Sequence, residues 1–212
     1  MMEFIKQPMA IERRSMELIA PYIEGISLSE AEKKVYSRII HAAGDVEYAP
    51  IIRISETAVA DATAALRSGA DIYTDVEMVR TGINKRKLAS FGGAVHCRIQ
   101  DPEIAAQAKA QGVTRSLAAM RSFGAVLTGS VVAIGNAPTA LFEVLRLVRE
   151  EGVRPACIVG IPVGFVGAAD SKKALVENRL VPYITVEGTK GGSPIAAAAV
   201  NAMLYEIDNS RD

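Results

Sequence analysis

The chain contains only two histidines, and their surroundings predict different roles. His41 closes an apolar-periodic segment shortly before Gly44, and glycine commonly follows the last turn of a helix. A helix C-terminus favours the protonated imidazole, so His41 is a candidate general acid near neutral pH, although a simple capping role fits its position equally well. His96 stands in a strand-like run and is interpreted as a core or sheet-edge residue.

Three glycine-rich turns each follow a short apolar run. They are 134–138 (Ile-Gly-Asn-Ala-Pro), 160–167 (Gly-Ile-Pro-Val-Gly-Phe-Val-Gly) and 188–193 (Gly-Thr-Lys-Gly-Gly-Ser). Glycine allows a close backbone approach or a positive φ, and doubly wound folds bind ligands at the carboxyl ends of their strands. We therefore predict a ligand site at this edge. The last turn could hold an anion at the start of the following helix or be only structural.

Several arginines stand next to these segments or to polar motifs. Arg13 and Arg14 precede Ser15, Arg80 and Arg86 flank Thr81, and Arg115 and Arg121 share one predicted helix. Most of these side chains are expected to be solvated. A subset that converged on the glycine-rich edge would suit a ligand carrying several carboxylates, because guanidinium groups bind carboxylates with charge-assisted, often bidentate hydrogen bonds.

Several enzyme classes are disfavoured by missing motifs. The sequence has no GxGxxG and no GxxxxGK[ST], so a nucleotide-dependent oxidoreductase or phosphate-loop enzyme is disfavoured, and it has no GxSxG elbow of a serine hydrolase. Asp71, Asp75 and Glu77 could bind a divalent ion, but solvated or capping roles are commoner. We expect no resident metal and no cofactor.

Charge and cysteine content restrict the partners and the compartment. The chain has 24 basic and 24 acidic residues and no tryptophan, which argues against a general grip on nucleic acid or an anionic membrane. The two cysteines cannot form a disulfide framework, and the segment 1–14 has no apolar signal core. A cytoplasmic location is expected.

The local signals alternate between strands and helices. A capping box at Ser29–Glu32 predicts a helix that ends near Gly44, and Ser55 is predicted to cap a helix over 56–67. Further helices are predicted to start at Pro102, at Pro138 and after Ser193, and strands over 51–54, 70–73, 94–99, 131–134, 156–161 and 183–186.

This alternation predicts an α/β fold in which helices cover both faces of a mainly parallel sheet of about five strands. Residues 1–212 are expected to form a single domain, since no linker divides them. The uncharged stretch 122–142 is long enough to span a membrane, but its glycines, Asn136 and Pro138 favour a buried strand and a turn.

Six motifs, in order along the chain, resemble the precorrin-8X methylmutase family. They are Ile40-His41-Ala42-Ala43-Gly44-Asp45, Asp75-Val76-Glu77-Met78-Val79 leading to Gly82-Ile83, Thr114-Arg115-Ser116, the segment 133–141, the segment 160–168 with Ser171-Lys172, and Lys190-Gly191-Gly192-Ser193. The resemblance covers roughly residues 8–206. The family pattern leads us to expect a more basic turn at 188–190, and Thr189 departs from it by removing a possible cation.

The resemblance implies an enzyme of corrinoid (cobalamin) biosynthesis with a flavodoxin-like, three-layer fold. It implies that a methyl group moves between adjacent carbons of ring C, which converts precorrin-8X or cobalt-precorrin-8 into hydrogenobyrinate or cobyrinate without a cofactor. It also implies a homodimer, with His41 as the catalytic acid. The implied substrate contacts are Arg14, Ser15, Thr81, Arg115, Gly135, Asn136, Lys190 and Gly191. A non-catalytic corrinoid carrier on the same fold is the alternative.

Overall fold

The computed structural model describes residues 5–209. The two ends of the expected 1–212 domain, which include the start of the segment 1–14, therefore lie outside the described residues. Within the described range the α-helices are α1 (Pro8–Ile23), α2 (Glu30–Ala43), α3 (Ala58–Arg67), α4 (Glu77–Gly82), α5 (Lys85–Ala89), α6 (Pro102–Gln111), α7 (Arg115–Phe123), α8 (Pro138–Glu150), α9 (Ala168–Asn178) and α10 (Ser193–Asn209). The strands are β1 (Ile52–Ile54), β2 (Ile72–Thr74), β3 (Val95–His96), β4 (Val131–Ile134), β5 (Cys157–Gly160) and β6 (Tyr183–Val186).

One six-stranded sheet, in the order β1-β6-β5-β4-β2-β3, forms the centre of the molecule. The strands from β2 to β6 all pair in parallel, and their spatial order is that of flavodoxin. β1 is antiparallel to β6, with Ile52 opposite Val186. The prediction of a mainly parallel α/β sheet is confirmed, with an antiparallel strand added at one edge.

Side chains of the central strands alternate between two apolar layers. Val131 and Ala133 point into a core formed with α2, α3 and α10, with α1 packed outside α2. Val132 and Ile134 point into a second core formed with α7, α8 and α9. A parallel strand buried on both faces needs such continuous apolarity, which is the pattern that the sequence shows.

The helix signals in the sequence explain the boundaries of three of the helices. Ser29 and Glu32 form the predicted capping box of α2, which ends at Gly44 with φ at 62°. Proline occupies the first turn of α6 and of α8, as predicted.

One predicted cap is wrong. α3 begins at Ala58 after Thr57, and Ser55 does not cap it. The Ser55 hydroxyl instead accepts a hydrogen bond from the Tyr183 amide at 2.8 Å, which ties the end of β1 to the start of β6. The Ser55 hydroxyl therefore makes a tertiary hydrogen bond instead of the local cap that the sequence predicted.

The uncharged stretch 122–142 contains the end of α7, a short 3-10 turn (Gly124–Leu127), β4 and the start of α8. Among residues 5–209, none of the helices has both the length and the apolar character that crossing a membrane requires.

Candidate active site at the carboxyl edge of the sheet

The three glycine-rich turns of the sequence lie at one edge of the sheet. They follow the carboxyl ends of β4, β5 and β6, which are parallel neighbours. β1 runs the opposite way, so the 3-10 turn before it (Val46–Ile51) reaches this edge too, and the Glu187 amide donates to the Ile51 carbonyl at 2.8 Å. That turn directly follows α2, and the antiparallel strand thereby brings the C-terminal end of α2 to the carboxyl edge of the sheet.

His41 lies in the last turn of α2, on the surface of the molecule. Its carbonyl accepts a hydrogen bond from the Gly44 amide at 3.2 Å, while its imidazole is exposed to solvent. An exposed imidazole can exchange a proton with a bound ligand.

Lys190 connects the turn after β6 to the segment that follows His41. Its ammonium group lies 2.6 Å from an Asp45 carboxylate oxygen and 2.8 Å from one of Glu47. These hydrogen bonds raise the pKa of Lys190, and the Asp45 partner is held at a lowered pKa by the same contact. The two carboxylates compensate much of the positive charge of Lys190, which was predicted to bind the substrate.

Gly191 occupies a position where only glycine fits. Its φ is +152°, and an added Cβ would lie 2.6 Å from the Ile161 carbonyl oxygen and 2.8 Å from that of Pro162. The neighbouring Gly192 amide donates to the Ile161 carbonyl at 2.9 Å. The turns after β5 and β6 are therefore pressed together, and Gly191 contributes its backbone rather than a side chain.

Lys172 on α9 supports the same turn from inside the protein. The residue is only 1 % exposed, and its ammonium group donates to the Lys190 carbonyl at 2.6 Å. Burial lowers the pKa of Lys172 to about 8. The resemblance motifs included Lys172, but sequence reasoning gave it no role, because nothing local indicates that this lysine is buried.

Gly135 and Asn136, two of the expected substrate contacts, form the turn after β4. Their amides donate to the Asp75 carboxylate at 3.0 and 2.9 Å, and the Ala137 amide donates to it at 2.7 Å. A Cβ on Gly135 would lie 2.7 Å from the Ser193 Cα, so this glycine is needed for packing. The exposed Asn136 side chain is the part of this turn that a ligand can reach.

Arg115 is exposed in the first turn of α7. Thr114 caps that helix and shares a 2.7 Å hydrogen bond with Thr139, in the first turn of α8. Because α8 starts at the carboxyl edge, this contact places Arg115 at the same edge, on the side of Asn136.

Three other predicted residues form local hydrogen bonds or ion pairs. The Thr81 hydroxyl on α4 donates to the Glu77 carbonyl at 2.9 Å, and the Ser15 hydroxyl on α1 donates to the Ile11 carbonyl at 2.9 Å. Arg14 pairs with Glu17 at 3.1 Å. α1 packs against both α2 and the 3-10 turn at 46–51, so Ser15 and Arg14 belong to the helix next to that of His41.

The turn after β5 contributes an apolar surface that the sequence-based reasoning did not assign. Phe165 is 96 % exposed and Val166 is 90 % exposed, although large apolar side chains usually avoid water. The turn is attached to the Lys190 segment, since the Gly164 amide donates to the Thr189 carbonyl at 3.1 Å. The edge thus combines an exposed histidine, an exposed arginine and an apolar surface.

The buried amine of Lys172 predicts a specific pH dependence of stability. Its pKa is lower in the folded chain than its ordinary value of 10.5, so the unfolded chain binds more protons between about pH 8 and pH 10.5. Over that range the unfolding free energy of the wild type should rise relative to that of Lys172→Met, by at least on the order of 1 kcal/mol. Urea unfolding at several pH values measures this difference.

Lys173→Met is the matched control for that experiment, because the Lys173 side chain is 76 % exposed and should leave the pH dependence unchanged. If the difference in unfolding free energy between the wild type and Lys172→Met stays constant from pH 8 to pH 10.5, Lys172 does not have a lowered pKa in the folded chain.

The chain is similar to proteins of one family over nearly its whole length. The family model for precorrin-8X methylmutase matches residues 10–206. A protein of Sinorhizobium sp named precorrin-8X methylmutase is 44% identical over 95% of this chain and 96% of its own length. A Salmonella typhimurium protein named cobalt-precorrin-8 methylmutase is 41% identical over 97% of this chain and 99% of its own length.

Solved structures are similar as well. A structure titled as precorrin-8X methyl mutase from Thermus thermophilus is 35% identical, with a TM-score of 0.85 over 95% of this chain and 98% of its own. Another, titled precorrin-8X methylmutase related protein, is 39% identical, with a TM-score of 0.83 over 90% of this chain and 99% of its own.

Proposed function

The chain belongs to the precorrin-8X methylmutase family, and from this premise we propose that it is an isomerase that moves a methyl group within a corrinoid precursor of cobalamin. The substrate is precorrin-8X or cobalt-precorrin-8, and the product is hydrogenobyrinate or cobyrinate. The methyl group shifts between adjacent carbons of ring C. The observation that carries this proposal is the exposed imidazole of His41 at the ligand-binding edge of the sheet.

His41 acts as the proton donor in this proposal. One carbon–carbon bond to the methyl group breaks and another forms at the next ring carbon, so the step has no leaving group and consumes no nucleophile. Protonating the conjugated macrocycle makes it more electron-poor, which favours migration of the methyl group. The proton returns to the imidazole when the product forms, and one residue therefore serves as acid and then as base.

Different neighbouring residues are proposed to bind different parts of the macrocycle. Arg115 is exposed and suits a substrate carboxylate, whereas Lys190 is already paired with Asp45 and Glu47. The exposed apolar side chains of the turn after β5 suit the apolar faces of the ring. Arg14, Ser15, Thr81 and Asn136 remain predicted contacts, which approach the ligand from α1, α4 and the turn after β4.

Absorbance spectroscopy of the protein with each candidate substrate tests the reaction. Purified protein incubated with precorrin-8X, and separately with cobalt-precorrin-8, should change the absorbance spectrum of at least one of them to that of the product, with no NAD(P)H, ATP or methyl donor added. Tight binding with an unchanged spectrum would favour the non-catalytic carrier. A requirement for NAD(P)H would revive the oxidoreductase.

We also infer that the protein works as a homodimer with the active site near the interface, and that residues 1–212 act as one domain in the cytoplasm. Apolar exposed residues on α1, among them Leu18 and Tyr22, support a self-association surface. Light scattering at micromolar concentration should give twice the monomer mass of 22.5 kDa. A monomer mass would refute the dimer and leave the reaction to be tested separately.

A further inference from the structure

The turn between β4 and α8 lies where doubly wound sheets usually bind ligands. From β2 the chain continues to β3 on one side, and from β4 it continues to β5 and β6 on the other. The connections that leave the neighbouring strands β2 and β4 therefore run in opposite directions, which makes this a topological switch point. Ligands of such folds bind there, and anions bind at the amides of the following helix. α8 is 13 residues long and starts at this point.

A side chain of the protein itself occupies this position. Asp75 directly follows β2, is fully buried, and accepts hydrogen bonds from three consecutive amides, those of Gly135, Asn136 and Ala137. The residue at the N-cap of α8, Ala137, has no side chain that could cap the helix. Asp75, from a strand far away in sequence, supplies the negative charge that the helix terminus favours.

We propose that Asp75 is a positioning residue, whose carboxylate takes the place of a ligand anion at the switch point and thereby fixes Asn136 and Arg115 for the substrate. The part that concerns the substrate rests on the proposed function. The consequence for binding is that substrate carboxylates meet side chains at this edge, because the three amides are already bonded.

A few contacts connect Asp75 to Asn136 and Arg115. Asn136 is the exposed residue of a turn whose other two members, Gly135 and Ala137, are buried, so its orientation follows from the three amide bonds to Asp75. The same bonds hold the first turn of α8. Thr139 in that turn bonds to Thr114, and Arg115 is the next residue along the chain.

The three amide donors favour the charged form of Asp75, whereas its burial opposes that form. Burial raises the pKa of the Asp75 carboxyl, while the hydrogen bonds from Gly135, Ala137 and Asn136 oppose that effect by favouring the charged form. Removal of the carboxylate would leave three amide donors without an acceptor, around a space of the size and polarity of a small carboxylate ion.

Formate rescue of Asp75→Ala tests the proposal. Formate should raise the thermal midpoint of Asp75→Ala in a saturable way, beyond the effect of chloride at equal ionic strength, and should leave the wild type at the chloride value. Affinity of Asp75→Ala for the corrinoid product should be about tenfold weaker than wild type and should recover with the same half-saturating formate concentration.

Two further variants make the result specific. Asp75→Asn keeps the size of the side chain but loses its charge, so it should bind product weakly and not respond to formate. Asp71→Ala is the matched control at the other end of β2, where Asp71 accepts from the Ala94 amide at 2.8 Å, and its product affinity should not respond to formate. If Asp75→Ala folds poorly, its refolding yield in formate against chloride becomes the readout.

The proposal is overturned if formate affects Asp75→Ala and wild type equally, or if Asp75→Asn binds product as the wild type does. A failure of the wild type itself to bind product would refute the proposed function, whereas the formate-dependent stability of Asp75→Ala would still stand as evidence for the internal anion.

Discussion

Turnover of His41→Ala is expected to fall by roughly 10²–10⁴-fold, the usual contribution of a positioned acid–base group. The imidazole is exposed at the end of α2, so its removal takes little apolar contact from the core and should leave folding and product affinity close to wild type. The measurement is the initial rate of the absorbance change, with circular dichroism as the check on folding.

His96→Ala is the control for His41→Ala. His96 lies on the edge strand β3, bonds to Asp71 at 2.9 Å and stacks on Tyr73 with ring centroids 4.9 Å apart. Its removal should lower stability more than rate. Near wild-type turnover of His41→Ala, or an equal loss in both variants, would argue against His41 as the proton donor.

Arg115→Ala is expected to weaken product binding by about 10–150-fold, which corresponds to the loss of one charge-assisted hydrogen bond of about 1.5–3 kcal/mol. Arg115 is exposed, and no ion pair ties it to another residue within 5–209, so its guanidinium group is free to bind a carboxylate. Absorbance or fluorescence titration with the corrinoid product measures the affinity. Arg115→Lys should recover only part of it, because the bidentate geometry is lost.

Lys109→Ala on the neighbouring helix α6 removes the same charge from an exposed position and should leave the affinity unchanged. If both variants weaken binding equally, the effect is one of overall charge. Unchanged affinity in Arg115→Ala alone would remove this residue from the substrate contacts.

Local signals were enough to predict much of the fold. The capping box at Ser29, the prolines that open α6 and α8, and the continuous apolar strands are each determined by neighbouring residues, and each is confirmed. α1 was not predicted although Pro8 opens it, because Gln7 makes no side-chain cap and Pro21 lies inside the helix. The direction of β1 also could not be predicted, because strand direction depends on which distant strand becomes the partner.

In the candidate site, too, features set by neighbouring residues could be predicted and those set by distant segments could not. The position of His41 at a helix end follows from local sequence, and the turns at 134–138 and 188–193 were correctly expected at strand ends. That Asp75 binds the amides of Gly135 and Asn136, and that Lys190 is paired with Asp45, could not be predicted, because these contacts join segments far apart in the chain.

The antiparallel pairing of β1 with β6 also determines when the site can exist during synthesis of the chain. α2 packs against α10, and β1 hydrogen-bonds to β6, so the segment that carries His41 is synthesised well before both of these partners. Contacts between such distant segments incur a large loop-closure entropy and slow the final folding step. A nascent chain that ends before α10 therefore lacks one of the helices against which α2 packs, and the predicted proton donor His41 is not held in its final position until α10 has been made.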